Sequence, residues 1–278
     1  MAYSFNGSNQ YLSSSGAVLS SVPITMGCWF YSTSNSAKQR LISIGDKDST
    51  SDFFHVSAMG NVTGDPLRAS AKRGGATGTA TTSSGYSINT WHHAAAVFIS
   101  NSSRKVYLDA GSVGSNTTSA TPASLDTTRL GLRASSGTDG PMAGRIAEAG
   151  IWNIALTAND IAQLAEGFSP LLVRPDALVA YWPLGGIARF SASSAAADYA
   201  GGSSMLPTNT PTEASHPEAY YPSSPTLHIP AAVVPAAPGQ GHDWAMPDNT
   251  PDYRIGDNDA AFAIPRSNVD WRIENDGT

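Results

Sequence analysis

The 278-residue chain predicts an all-β antiparallel sandwich or barrel with one short helix, followed by a long extended C-terminal arm. Three observations lead there. Ten short segments rich in β-branched and aromatic residues are separated by Gly, Asn, Asp and Ser, the pattern of many short strands. Only 14% of residues are charged, against roughly 25% in an average soluble chain. Third, charge and proline are unevenly divided. Residues 1–184 hold 12 Lys+Arg and 11 Asp+Glu, whereas residues 185–278 hold 4 and 11, together with 11 of the 18 prolines. A segment with that much proline cannot be mostly helix or central strand. The chain therefore divides into a body, 1–185, and a Pro-rich acidic arm, 186–278.

The strands follow in order. Ile24–Tyr31 (ITMGCWFY) is bounded by Pro23 and Ser32. Arg40–Ile44, Phe53–Met59, Leu67–Lys72 and Thr77–Thr82 come next. His92–Ile99 is almost continuously apolar, as in a strand buried on both faces. Lys105–Asp109 alternates, with Val106 and Leu108 on one side, and Asp109-Ala-Gly111 supplies a turn. Arg129–Arg133, Arg145–Trp152 and Leu178–Trp182 complete the set. One helix is expected: Thr157 caps it, Asp160 completes a capping box, Ile161, Leu164 and Ala165 make its apolar stripe, and Gly167 ends it. Cys28 is the single cysteine, which excludes a disulfide framework and a cysteine-based zinc site. No apolar run reaches 18 residues and the opening MAYSFNGSNQ lacks a basic, apolar leader, so neither membrane partner nor secretory signal is expected. A net charge of −6 argues against a general nucleic-acid partner.

Several segments, in this order, resemble laminin-G-like, concanavalin A-like jelly rolls over residues 1–185. SFNGSNQYLSSSG resembles the first strand pair, and ITMGCWFY the second segment, with Trp29 in the core. TWHHAAAVFISNSSRKVYLDAG resembles the family's hairpin through Trp91, His92, His93, Tyr107 and Asp109. AGRIAEAGIWNIALTANDIAQLAEG matches at Gly144, Ile146, Glu148, Trp152, Asn153, Leu156, Thr157 and Ile161, and LVAYWPLGG at Tyr181 and Trp182. Ala110 stands where the family has a turn Gly, and Asn159-Asp160 where it has an acidic pair. The resemblance implies a jelly-roll sandwich. It also implies sugar binding as a common role, loop calcium in some relatives, and a structural rather than catalytic histidine pair.

Candidate chemistry is sparse. Glycoside hydrolysis needs two carboxyls about 5–9.5 Å apart. The five glutamates, Glu148, Glu166, Glu213, Glu218 and Glu274, do not show the E-x-D-x-x-E spacing of jelly-roll glucanases. Glu148 is expected to pair with Arg145 at the surface, and no enzymatic activity is expected. Adjacent strand residues face opposite sides, so one metal cannot take both His92 and His93. No Ser–His–Asp set can be argued from sequence. Asp46, Asp48 and Asp52 in GDKDSTSD look like half a calcium loop, but Ser51 and Ser57 stand where an EF-hand needs Gly and Glu. Asp46 and Asp48, or alternatively Asp109, are the calcium candidates; no other cofactor is expected. Sugar binding needs an exposed aromatic with polar neighbours. Trp29, Trp91, Trp152 and Trp182 fall at core-like strand positions, leaving Tyr86 as a looser candidate. Lys72-Arg73 and Arg104-Lys105 read as solvated strand ends.

The arm carries apolar anchors that disordered tails lack. Tyr220, Tyr221, Trp244, Tyr253, Phe262 and Trp271 are the partner-binding candidates. Such a segment gains by lying over neighbouring subunits. A cysteine-poor, Ser/Thr/Gly-rich jelly roll with such an arm resembles accessory virion proteins of tailed bacteriophages. That resemblance implies a non-enzymatic capsid decoration protein, located in the virion after assembly in the host cytoplasm. Its partners would be the major capsid protein, other virion subunits or further copies of itself, with host surface glycans a further contact. The alternative is a carbohydrate-binding adhesin or tail-fibre module, which predicts an exposed aromatic at the sandwich rim.

Overall fold

A computed structural model describes residues 2–185 and 195–222. The strands are β1 (Ala2–Asn6), β2 (Tyr11–Ser13), β3 (Ile24–Ser32), β4 (Lys38–Gly45), β5 (Asp52–Met59), β6 (Pro66–Arg73), β7 (Ala76–Gly85), β8 (Trp91–Ser100), β9 (Ser103–Leu108) and β10 (Ser112–Asn116). They continue with β11 (Thr127–Leu130), β12 (Ala143–Trp152), β13 (Leu178–Trp182), β14 (Leu206–Thr208) and β15 (Thr212–Ala214). Two antiparallel sheets result. The first runs β10-β9-β8-β3-β12-β1-β15, with β13 also paired to β12; the second runs β14-β2-β11-β4-β5-β6-β7.

Alternation builds the core. Ile24, Met26, Cys28 and Phe30 of β3 and Ala94, Ala96 and Phe98 of β8 face inward, against Phe54, Val56 and Ala58 of β5 and Leu67, Ala69 and Ala71 of β6. The intervening β8 residues Ala95 and Val97 lie outside the sandwich in a second cluster with Trp152, Leu156, Ile161, Leu164 and Val173. This explains the continuous apolar run of β8: helix α1 (Ala158–Ala165) covers part of its outer face. The expected capping box is present, with Thr157 and Asp160 each bonding the other's backbone N–H. No helix is long and apolar enough to cross a membrane among the described residues.

The sheets take strands from beyond the expected boundary at 185. β14 pairs with β2 and β15 with β1, so one short stretch supplies an edge strand to each sheet. Asp198 holds the approach by accepting from the amides of Tyr181, Ala200, Gly201 and Ser203. The Trp182 indole N–H, buried beneath, donates to the Ser203 carbonyl at 3.0 Å. Tyr220 and Tyr221 are used within the chain. Tyr220 exchanges backbone bonds with Gly167 and Ser169 and packs on Phe168, although it stays 61% exposed. Trp244, Tyr253, Phe262 and Trp271 lie outside the described residues.

Several side chains differ from expectation. Trp29 is not in the inter-sheet core: Cys28 and Phe30 take the inward positions, so Trp29 faces out, partly exposed. Tyr86 is buried and donates to the Ser34 carbonyl. Arg104 is no solvated strand end but 1% exposed, held by Asn116 and the Asn101 carbonyl. Arg145 does not pair with Glu148; its guanidinium lies 4.4 Å from the Tyr31 ring centre and donates to Ser215.

Candidate functional site

The outward positions of β3, β8 and β12 that α1 leaves uncovered form an aromatic strip. Register defines it: Arg145 opposes Tyr31, which opposes Trp91, and one row along, Ala147 opposes Trp29, which opposes His93. Residues directly opposite in an antiparallel pair share a face. Tyr31 and Trp91 meet edge to face at 5.7 Å, as do Trp29 and His93 at 5.7 Å. Trp29, Tyr31, Trp91 and Arg145 are all partly exposed. Ser4, opposite Arg145, and Thr212, opposite Ser4, extend the row with hydroxyls. Gly144 lets the strands approach: with φ +136°, a Cβ there would sit 2.0 Å from the Tyr31 carbonyl oxygen. His93 is the floor of the strip, 2% exposed. Burial lowers its pKa to about 4 although Asp109 pulls the other way, so at neutral pH it is an uncharged packing surface. Tyr31 and Trp91, at the end of β3 and β8, are half-buried, whereas the sugar-binding alternative expects an exposed aromatic at the rim.

Beside the strip, His92 and His93 face opposite sides, as alternation requires. His92 meets Phe30 on the core side, while the His93 amide donates to Asp109 at 2.7 Å. His92 Nδ1 lies 2.7 Å from Asp109, and Nε2 lies 3.0 Å from Ser87 Oγ. These contacts have the connectivity of a Ser–His–Asp triad, assembled from β8, the β9–β10 turn and the loop before β8. The Ser87 backbone N–H also donates to Nε2 at 3.1 Å. That amide competes for the one lone pair a general base would use, so the set closes a turn. Sequence could not show it, because Ser87 is one serine among many.

Glu148 is the most enclosed carboxylate among the described residues. It sits at φ +51° where the β12 register shifts, and is 4% exposed. It accepts from Tyr181 at 2.6 Å and Tyr221 at 2.8 Å, and contacts His216 Nε2 at 3.1 Å. Burial, then the Glu148 charge, raise the pKa of both phenols. The groups that touch Glu148 are phenols and an imidazole, not a second carboxyl. They fasten residues 216–221 to the first sheet.

The calcium candidates divide. Asp46 and Asp48 come together with Asp126, which sequence reasoning missed because it lies 78 positions beyond Asp48; ligand atoms of all three lie within 4.8 Å of one another. Oxygen donors of this kind suit calcium. The Lys47 ammonium, however, already bonds Asp48 and contacts Asp126 at 3.2 Å. Asp109 is on the other sheet, engaged by His92 and the His93 amide, and joins no such cluster among the described residues.

Residues 6–162, more than half of the chain, match the Concanavalin A-like lectin/glucanases superfamily, and the protein belongs to it. Among solved structures, the fold is similar to a putative carbohydrate binding protein from Bacteroides ovatus, at 16% identity and TM-score 0.55, covering 76% of this chain and 59% of that one. It is also similar to a SAP-like pentraxin from Limulus polyphemus (14% identity, TM-score 0.48, 59% and 81% covered). A third likeness is to the CBM40 of a Ruminococcus gnavus IT-sialidase (14%, 0.45, 59% and 98%). At these identities the likeness is one of fold. The chain spans 59% of the Bacteroides ovatus protein's length. No curated protein matches by sequence.

Proposed function

We propose that the protein is a non-catalytic carbohydrate-binding module whose ligand lies on the strip of Trp29, Tyr31 and Trp91. The observation that carries this is the strip itself: three partly exposed rings fixed on neighbouring strands, flanked by Arg145 and the Ser4 hydroxyl. Sugars present C–H faces that stack on aromatic rings and hydroxyls that need polar partners at the rim. Strands, unlike loops, hold such a constellation to the precision that recognition needs. The lectin superfamily is consistent with this reading. A glycan array probed with the full chain tests it: reproducible capture of one saccharide class is expected, and capture of none overturns the proposal.

The capsid-decoration reading gains nothing from the comparisons. As a proposal it rests on the acidic, aromatic-bearing sequence beyond residue 222. Its test is deletion of residues 226–278, which on that reading abolishes incorporation into particles; normal assembly of the truncated chain contradicts it.

A further inference from the structure

The outer face of the second sheet carries charge that the aromatic strip does not use. Register sets Arg40, Ser57 and Arg68 in one row, and Arg129, Ser43, His55, Ser70 and Thr79 in the next. Lys38 and, from the loop after β11, Arg133 and Asp139 join them. Asp139 accepts from Arg40 Nη2 at 2.7 Å, contacts Arg133 at 3.1 Å and also bonds Lys38. Burial would raise its pKa, but the Lys38 and Arg40 hydrogen bonds and the Arg40 and Arg133 charges hold it at about 2. Lys38, Arg40 and Arg133 thus surround one carboxylate, and Arg68 adds its charge beside Arg40, so these four cations face a single Asp139.

Three donors here are unmet; one is the buried Nε of Arg129, whose guanidinium otherwise bonds the Arg133 and Ser135 carbonyls. Arg68 has no ion pair among the described residues, and its buried Nε has no hydrogen-bond partner. His55 is 2% exposed and stacks on Phe53 at 4.6 Å. Arg40 Nη1 approaches His55 Nε2 at 2.9 Å and can only donate, so the imidazole proton sits on Nδ1. That N–H is also buried without an acceptor. Burial, then Arg40, Arg133 and Lys38, push the His55 pKa well down, which keeps the ring neutral. A buried donor without an acceptor is costly, and a cationic cluster gains by closing on an anion.

We propose that this face is a second binding site, for an acidic saccharide whose carboxylate or sulfate is gripped by Arg68 beside Arg40. The Ser70–Thr79 hydroxyl pair, 3.1 Å apart, and the exposed Thr81 opposite Arg68 serve the sugar hydroxyls. An acidic peptide would match the charge. Extended peptides, however, dock on sheet edges, whereas Arg68 lies on β6, flanked by β5 and β7.

Calorimetric titration of the full chain tests the proposal, with oligogalacturonate, a sulfated heparin oligosaccharide, a neutral cello-oligosaccharide and polyglutamate as probes. One acidic saccharide binds, more weakly as salt rises, and Arg68→Gln weakens it about tenfold or more. Among the described residues Arg68 supports no other side chain through a hydrogen bond, and thermal melting checks that the variant is folded. Arg68→Lys restores only part of the affinity, because a point charge replaces the fork. Three outcomes overturn the proposal: no acidic saccharide binds, Arg68→Gln binds as tightly as wild type, or polyglutamate binds as tightly as the saccharide. Failure of the aromatic strip is read separately, as unchanged sugar affinity in Trp91→Ala.

Discussion

Acidification from pH 7 to 4 removes stability through His93, and the amount follows from its surroundings. The ring lies under Trp29, 2% exposed, with Nδ1 unpartnered, and its pKa falls from 6.5 to about 4. The unfolded chain takes up a proton near pH 6.5 that the folded chain refuses until about pH 4. Between those values the unfolded state binds more protons, so stability falls as pH falls and levels off below about 4. A gap of about 2.5 units at about 1.36 kcal/mol each amounts to about 3 kcal/mol. His55, shifted in the same direction, adds to the slope. The assay is urea unfolding at a series of pH values, for wild type and for His93→Gln, which cannot titrate. The wild-type curve should lose about 3 kcal/mol more than the variant across this window. Parallel curves would refute the buried neutral histidine.

Other predictions concern the neighbouring sites. Glu148→Ala leaves the Tyr181 and Tyr221 phenols without their shared acceptor and removes the His216 contact, and costs about 3 kcal/mol or more. Limited proteolysis should then cut first between residues 195 and 222, and an unchanged urea midpoint contradicts this. At the aspartate cluster, Lys47→Met removes the cation that competes for Asp48 and Asp126. Calcium titration should give tighter binding to the variant than to wild type, and equal heats count against a calcium role. A fluorophosphonate probe should leave Ser87 unlabelled, because its own amide occupies His92 Nε2; labelling that His92→Ala abolishes would make the protein an enzyme.

The strand body was legible because alternation and turn residues are local signals. β13 was found at Leu178–Trp182 as predicted, and the other predicted strands were located with shifted ends. The face of Trp29 was not legible. In ITMGCWFY both faces are apolar, and only the inter-sheet partners reveal that Cys28 and Phe30 point inward. The same ambiguity hid the aromatic strip, since an outward tryptophan beside a half-covered face reads like a core residue. β14 and β15 were missed because each has three residues, and Pro207 argues against a strand until its edge position is known. Glu148 was misassigned to Arg145 by proximity in sequence, whereas its partners lie 33, 68 and 73 positions away. The second sheet's cationic face was invisible for a like reason: Arg40, Arg68, Arg133 and Asp139 meet only through β-register and a loop.

The central claim is that Trp91 and its neighbours hold a sugar. Titration of the array-selected saccharide into wild type and Trp91→Ala, both shown folded by circular dichroism, tests it most directly. Loss of the Trp91 ring removes an apolar face from the platform, and the account predicts affinity weakened about tenfold or more, about 1.4 kcal/mol. Equal affinity in the two proteins would contradict the account.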